Sequence, residues 1–317
     1  MSARPIVLCI VGPTACGKTA LSVALAKHTD GEIVSADAVA VYRGLDIGSA
    51  KPTEEERQGI PHHMIDCADV TDSDFTVSSF RALARAAIDD ILSRDKLPIV
   101  VGGSGLYLDS VFSDMRFSAL SDADIRAALE KEYEKDPTAL FEQLRAADAD
   151  TANRLHPHDQ KRVVRALEVY RITGKPFSAL NHAFETAQQE DGTYRTVRIG
   201  LNTDRQLLYR RIDQRVDQMM EHGLQTEAYS FFERGLTPQN CRALQSIGYA
   251  QLYDVYTGNA SLETATDNIK RDTRRFAKRQ ITWFKRNKDT LWLDPLTLSA
   301  DELIIRITEY MKWKLTD

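Results

Sequence analysis

Ile6-Val7-Leu8-Cys9-Ile10-Val11-Gly12-Pro13-Thr14-Ala15-Cys16-Gly17-Lys18-Thr19 is the stretch on which the fold turns. Six consecutive apolar residues suit a strand buried on both faces of a parallel sheet. Lys18 to Lys27 then reads as a helix. Between the two, Gly12, Gly17, Lys18 and Thr19 meet the spacing G-x-x-x-x-G-K-[ST]. Glycines at both ends let the backbone curl so that several N–H groups point inward, and the helix start adds its positive end. Thr14, Ala15 and Cys16 complete this phosphate cradle. Lys18 is placed for an outer phosphate, and the Thr19 hydroxyl for Mg²⁺. An incidental glycine-rich turn is the bland alternative, and the flanking strand and helix weigh against it.

Outward from the cradle, strand-like and helix-like stretches alternate. Glu32 to Ser35 is a short strand ending near Asp37, and Met64-Ile65 is a further strand candidate. Thr76 to Arg94 is a helix with Phe80, Leu83, Ala84, Ala87, Ile88 and Ile91 on one face. Pro98 to Val101 is another buried strand, followed by Gly102-Gly103-Ser104-Gly105. This alternation implies an α/β class, a P-loop NTPase-like parallel sheet. The texture changes near Phe117. Residues 117–196 read as a mostly helical insertion, with stripes Ile125, Ala128, Leu129, Tyr133 and Val163, Val164, Leu167, Tyr170; its last helix is a candidate for the core. The core is then 1–116 with 197–317. Thr196 to Leu201 returns as a strand, a helix after Asp204 runs to His222 and stops at Gly223, and the remainder is mostly helical.

Composition narrows the class. The 317 residues exceed one small core and suit a large α/β domain with an insertion. Four scattered cysteines, Cys9, Cys16, Cys67 and Cys241, form neither a disulfide framework nor a zinc pattern and suit a reducing cytosol. No apolar run nears the roughly 20 residues of a membrane helix. Met1 to Pro5 leaves no room for a signal peptide. A soluble, cytoplasmic monomer without membrane contact is expected. The net charge of −5 does not suggest a nucleic-acid binder, but the distribution of charge decides that question.

A cradle holds phosphates without saying what is done with them. NTP hydrolases usually hold Mg²⁺ with an acid after an apolar strand. Here Pro98 to Val101 runs into Gly102-Gly103, and no Asn-Lys-x-Asp reads guanine. The pattern leans towards a transferase using a phosphorylated group. Asp37 follows a strand and so lies on the ligand rim of a doubly wound sheet. It could take a proton from a nucleophile; alone, it is more commonly a turn or N-cap aspartate. The glycines of 102–105 suit backbone approach to a ligand, with Ser104 as a donor, or a tight strand-to-helix turn. His62-His63 and His156-Pro157-His158-Asp159 lack metal-ligand spacing and read as structural.

Ile269 to Lys288 is the second informative stretch. On a helix, Ile269, Thr273, Phe276, Ala277, Gln280 and Phe284 fall on one side. Lys270, Arg271, Arg274, Arg275, Lys278, Arg279, Lys285 and Arg286 cover the other, with Asp272 the only acid within the stretch. Such a nearly single-sign face repels itself unless a polyanion lies against it, and a phosphodiester backbone fits. Gln160, Lys161, Arg162 and Arg165 form a smaller basic patch. A phosphorylated small molecule and a nucleic acid together suggest an RNA-modifying enzyme drawing on a diphosphate.

Further motifs run in order along the chain: Ser35-Ala36-Asp37, Val41 to Pro52, Pro61-His62-His63-Met64-Ile65-Asp66, Val101-Gly102-Gly103-Ser104-Gly105-Leu106-Tyr107, Asp159 to Glu168, Ile247-Gly248-Tyr249 and Thr273 to Phe284. With the P-loop, this ordered set resembles the bacterial tRNA dimethylallyltransferase family, also called tRNA isopentenyltransferases, over nearly the whole chain. The resemblance implies a P-loop core with a helical insertion and a channel between them. It implies transfer of the dimethylallyl group from dimethylallyl diphosphate to N6 of adenosine 37 beside the tRNA anticodon, with Mg²⁺, the base being flipped from its stack.

Residue by residue, the resemblance makes Asp37 the base, with Thr19 as metal ligand and catalytic residue. Gly12 and Thr14 to Thr19 hold the diphosphate, and Arg211 or Arg215 assists them. Asp37, Ala38, Val39, Ala40, Ser104 and Arg126 match positions near the tRNA. So do Gln160, Lys161, Arg162, Val163 and Val164, then Arg242, Ile247, Gly248 and Tyr249. Arg274, Arg275, Lys278, Arg279, Gln280, Trp283 and Lys285 complete the tRNA-facing set. Ser104 stands where the family more often has Thr. Ala38-Val39-Ala40 stands where many members carry Ser and Gln, and Ala250-Gln251 where Lys-Glu is commoner. A P-loop kinase of a small metabolite and a prenyltransferase of free adenine nucleotides are the competing readings. The basic helix argues against both.

Overall fold

The structure is a computed structural model and describes residues 4–72, 75–113, 122–179 and 191–316. Its centre is a six-stranded, wholly parallel sheet. The strands are β1 (Ile6–Val11), β2 (Gly31–Ser35), β3 (His62–His63), β4 (Leu97–Gly102), β5 (Arg195–Leu201) and β6 (Leu291–Leu293), in the order β3-β2-β4-β1-β5-β6. β1 is central because it is apolar throughout: Val7, Leu8, Cys9 and Ile10 are fully buried, between β4 and β5. The run of apolar residues thus reports burial on both faces.

Helices follow the strands as a parallel sheet requires. They are α1 (Lys18–Thr29), α2 (Glu54–Arg57), α3 (Val77–Ser93) and α4 (Gly105–Phe112). After β5 come α9 (Arg205–Glu221), α10 (Leu224–Phe232), α11 (Tyr249–Tyr256), α12 (Leu262–Phe284) and α13 (Ala300–Thr316), counted after the four helices of the insertion given next. Two apolar clusters fill the core on either side of the sheet. One holds Val7, Cys9, Val11, Phe80, Ile88 and Tyr249; the other holds Leu8, Ile10, Leu25, Ile199 and Ala277. α3 opens with a Thr76–Ser79 capping box and buries Phe80, Ala84, Ile88 and Ile91.

The chain divides into two compact units, Met1–Phe112 with Gly192–Asp317, and Ser113–Asp191. The second boundary falls a few residues before the one expected at 196, and β5 begins at Arg195; the boundary expected at 116–117 lies outside the described residues. The second unit carries α5 (Ala123–Lys135), α6 (Pro137–Ala147), α7 (Ala149–Ala152) and α8 (Gln160–Thr173). Leu129, Tyr133, Leu140, Val163, Val164 and Leu167 form its core. Tyr170, assigned from the sequence to the apolar stripe of α8, is exposed.

Two sequence expectations need correction. The strand placed at Met64-Ile65 is His62–His63, because Met64 adopts φ 65°, a left-handed conformation incompatible with a strand. β6, three residues long, lies in a region read as helical.

Candidate active site

The cradle sits at the carboxyl end of β1, where a parallel sheet leaves a crevice. Gly12 has φ 150°, and a Cβ there would lie 2.5 Å from the Leu201 carbonyl oxygen. Gly17 takes φ 93° and precedes α1 with no side-chain cap, so the first-turn amides of α1 face no side-chain acceptor from that residue. Ala15 also has positive φ, 62°, which belongs to the curl of the loop. The Lys18 ammonium donates to the carbonyls of Gly12 at 3.0 Å and Pro13 at 2.7 Å. Burial pushes its pKa down; the neighbouring charges of Cys16 and Asp37 act the other way, and Arg215 adds to the lowering.

Arg211 and Arg215 reach the cradle from α9. Arg211 donates through Nε to the Ala15 carbonyl at 2.9 Å, so it buttresses the loop. Arg215 has its pKa lowered by desolvation first, with Glu56 and Asp37 opposing. No described residue accepts a hydrogen bond from it. A largely desolvated guanidinium that acts on the charge of Lys18 is suited to an anion.

Asp37 lies two residues beyond β2, within electrostatic reach of both Lys18 and Arg215. Its Oδ1 accepts the amides of Val39 at 2.8 Å and Ala40 at 3.1 Å. The aspartate turn expected from the sequence is present: one oxygen pins the turn, and the other bonds no described residue. Ser104 holds the same segment. Its hydroxyl accepts the Ala38 amide at 2.9 Å and its own amide donates to the Ala36 carbonyl at 3.2 Å. Tyr107, whose phenol burial pushes up to about 12, senses Tyr42, Arg242 and Asp37.

The glycines of 102–105, read from the sequence as suited to ligand approach or to a tight strand-to-helix turn, stand where the chain itself leaves no room for a side chain. A Cβ at Gly102 would meet the Ala36 carbonyl oxygen at 2.1 Å; at Gly103, Gln280 Nε2 at 2.1 Å; at Gly105, the Trp283 ring at 2.2 Å. The loop is crowded by β2 and α12. Gln280 is 5% exposed, accepts the Thr14 amide at 2.9 Å and donates to the Gly103 carbonyl at 3.0 Å. Trp283 donates its indole N–H to Asp109 at 2.8 Å.

The comparisons with known proteins meet this geometry. A family model described as IPP transferase matches residues 40–287. The chain is 44% identical to a tRNA dimethylallyltransferase of Geobacillus thermodenitrificans over 97% of this chain and 95% of that protein. It is 42% identical to that of Halalkalibacterium halodurans over 97% of each. Among solved structures, a full-length tRNA isopentenylpyrophosphate transferase from Bacillus halodurans superposes with TM-score 0.73 and 41% identity, covering 99% of this chain and 97% of that one. A eukaryotic dimethylallyltransferase acting on tRNA gives TM-score 0.76 and 30% identity, over 95% of this chain and 77% of that one.

The chain belongs to the tRNA dimethylallyltransferase family.

Against that family's chemistry, the tRNA-facing candidates separate into surface and interior. Lys278 and Arg279 of α12, and Lys285 at its C-cap, are exposed. Lys270 and Arg274 are instead paired with Asp217 and Asp213 of α9, each at 2.5 Å, and Arg271 and Arg275 lean on Asp272. The nearly single-sign face read from the sequence is therefore partly neutralised by acids on another helix. Arg286 stacks over Trp283, its guanidinium carbon 3.7 Å from the ring centroid. Gln280 and Tyr249 are core residues, not surface ones. Tyr249 donates to Glu227 at 2.5 Å, and Glu227 also accepts the amides of Asp46, Ile47 and Gly48. Gly248, φ 103°, and Ile247 lead into Tyr249, while Arg242 is exposed. Val39 is half-buried and Ala40 buried.

In the insertion, Val163 and Val164 are buried, so any contact with RNA in that segment falls to Gln160, Lys161 and Arg162. Arg126 grips the fully buried Glu168 through both carboxylate oxygens at 3.0 Å, beside Arg165 at 2.7 Å. These guanidinium hydrogen bonds hold Glu168 below the ordinary carboxylate range against the desolvation that acts first on it.

Sequence reasoning missed Glu227, Asp109 and Lys51. Lys51, nearly buried, ties Asp46, Asp66 and the Tyr42 carbonyl together, and its place in the Val41 to Pro52 motif was its only local signal. The histidines keep structural roles: His62 bonds the Ile60 carbonyl and His63 bonds Glu32, both at 2.8 Å.

Proposed function

We propose that this chain transfers the dimethylallyl group of dimethylallyl diphosphate to the exocyclic N6 of adenosine 37 in tRNA, releasing diphosphate. Family membership carries prenyl transfer to tRNA. The finer reading is supported by the cradle after β1 and Asp37 after β2, two loops joined by hydrogen bonds through Gln280, Gly103 and Ser104, with Lys18, Arg215 and Asp37 acting on one another's charge. An allylic carbon–oxygen bond breaks with its electron pair going to diphosphate, and the cradle amides, Lys18 and Arg215 suit that growing charge. The N6 lone pair is conjugated and weakly nucleophilic. As the N6–carbon bond forms, the N6 proton passes to the Asp37 oxygen that bonds no described residue.

The Thr19 hydroxyl, in the first turn of α1 directly after Lys18, is the protein oxygen that the cradle offers to Mg²⁺. Mg²⁺ commonly takes one or two protein oxygens and completes its octahedron with water and phosphate. Thr19 would hold the ion, which when bound would neutralise charge on the leaving diphosphate.

No helix among the described residues is long and apolar enough to cross a membrane. The proposal includes action as a monomer in the cytoplasm, where tRNA is met. An anticodon stem–loop incubated with protein, dimethylallyl diphosphate and Mg²⁺ should gain the mass of one five-carbon unit, while AMP stays unmodified. ATP consumption without that gain would favour a small-molecule kinase instead.

A further inference from the structure

Gln280 is the one polar residue among the buried residues of α12, with Ala265, Ile269, Ala277 and Phe284. A buried amide costs free energy unless fully bonded. Here both ends are used, and both partners belong to the site: the Thr14 amide of the cradle at 2.9 Å and the Gly103 carbonyl at 3.0 Å. The partners also settle the orientation of the amide, since Thr14 donates and the Gly103 carbonyl accepts. From Gly103 the connection continues one residue on to Ser104, which brackets Ala36 and Ala38 on either side of Asp37. One side chain of α12 thus ties the phosphate loop to the 102–105 loop, whose Ser104 in turn holds the segment that carries Asp37.

We propose that Gln280 is a positioning residue that holds the donor cradle and the Asp37 segment in one register, linking both to α12. The inference rests on the prenyl-transfer reading above. Gln280 touches neither reacting group. It acts through Thr14 and Gly103, so its loss displaces donor against base without removing either. A misplacement of about 1 Å between reacting groups can cost on the order of 100-fold.

Gly103 supplies an independent handle. Its φ is not in the left-handed region, so alanine fits its backbone, yet a Cβ would sit 2.1 Å from Gln280 Nε2. Gly103→Ala should therefore break the joint from the other side.

The test is single-turnover prenylation of the stem–loop at saturating donor, with tRNA affinity and near-ultraviolet circular dichroism measured alongside. Gln280→Ala is expected to slow the chemical step about 10- to 100-fold, with the dissociation constant for tRNA changed less than about 3-fold. Gly103→Ala should reproduce the loss, and the double variant should be no slower than the worse single one. Gln280→Glu keeps an acceptor for Thr14 but sets a carboxylate oxygen against the Gly103 carbonyl, and should be as slow as the alanine variant. A wild-type chemical rate with weakened tRNA binding overturns the proposal, as do additive losses or a fully active Gln280→Glu. If Gln280→Ala does not fold, the Gly103→Ala and Gln280→Glu arms decide. Failure of the underlying reading shows separately, as wild-type protein that leaves the stem–loop unmodified.

Discussion

The hydroxyl oxygen of Ser104 accepts the Ala38 amide at 2.9 Å, while the Ser104 amide binds the Ala36 carbonyl. Asp37 is thereby fixed on both sides by a residue 67 positions away in a different loop, a separation that follows from the numbering. Its own Oδ1 closes the turn on Val39 and Ala40. Such a carboxylate is preorganised: little motion is left to it when a proton arrives.

Asp37→Ala and Ser104→Ala should then differ in size and share a direction. Asp37→Ala is expected to cost about 10²- to 10⁴-fold in turnover, with donor affinity retained. Ser104→Ala removes one neutral hydrogen bond worth about 1 kcal/mol and should cost roughly 5-fold. Ser104→Thr keeps the hydroxyl and should stay near normal. Steady-state kinetics on the stem–loop read all three, and a near-normal rate in Asp37→Ala removes that residue from the base role.

The parts of this arrangement that were legible in the sequence are the local ones. β1, the P-loop and α1 are contiguous, so spacing and periodicity sufficed. Asp37 was found because strand ends face the crevice. Gln280 sits on an apolar helix face, and its partner Thr14 lies 266 residues away, beyond any pattern. The glycines at 102, 103 and 105 were visible, but their crowding atoms belong to Ala36, Gln280 and Trp283 and are known only from packing. The charge on α12 was overread for a related reason. Asp213 and Asp217 lie on α9, and a one-dimensional count of Lys and Arg cannot see them.

Arg215 should matter more to the donor than Arg211. Arg215→Ala removes a desolvated guanidinium, and charge-assisted bonds to phosphate are worth about 1.5–3 kcal/mol. A loss of roughly 10- to 100-fold in kcat/KM for dimethylallyl diphosphate is expected, partly restored in Arg215→Lys. Arg211→Ala removes a loop buttress and should cost less. Inorganic pyrophosphate supplies the check: its inhibition constant should rise in Arg215→Ala, and an unchanged constant places Arg215 away from the phosphates.

On α12 the neutralised and free cations should separate in a salt titration. Lys278→Gln and Lys285→Gln remove exposed charges to which no described side chain is paired, so each substitution should lower the slope of log affinity against log salt by about 1. Lys270→Gln leaves Asp217 unpaired and should act on stability more than on that slope. Equal slopes in all variants would mean that this helix does not meet the RNA backbone.

Far from the site, Glu32 predicts how the fold responds to acid. It is almost fully buried on β2, and hydrogen bonds from Arg94 chiefly, then from His63 and Lys96, hold its pKa at about 2 against 4.5 in the unfolded chain. The folded value is the depressed one. The stability it contributes is therefore complete above pH 4.5 and is lost as pH falls from there towards 2. Glu32→Gln should be less stable than wild type at pH 6, by about 1–3 kcal/mol for a charged hydrogen-bond network. The gap should narrow steadily below pH 4.5. Urea unfolding at a series of pH values measures it, and a gap independent of pH would mean that Glu32 is not ionised in the native protein.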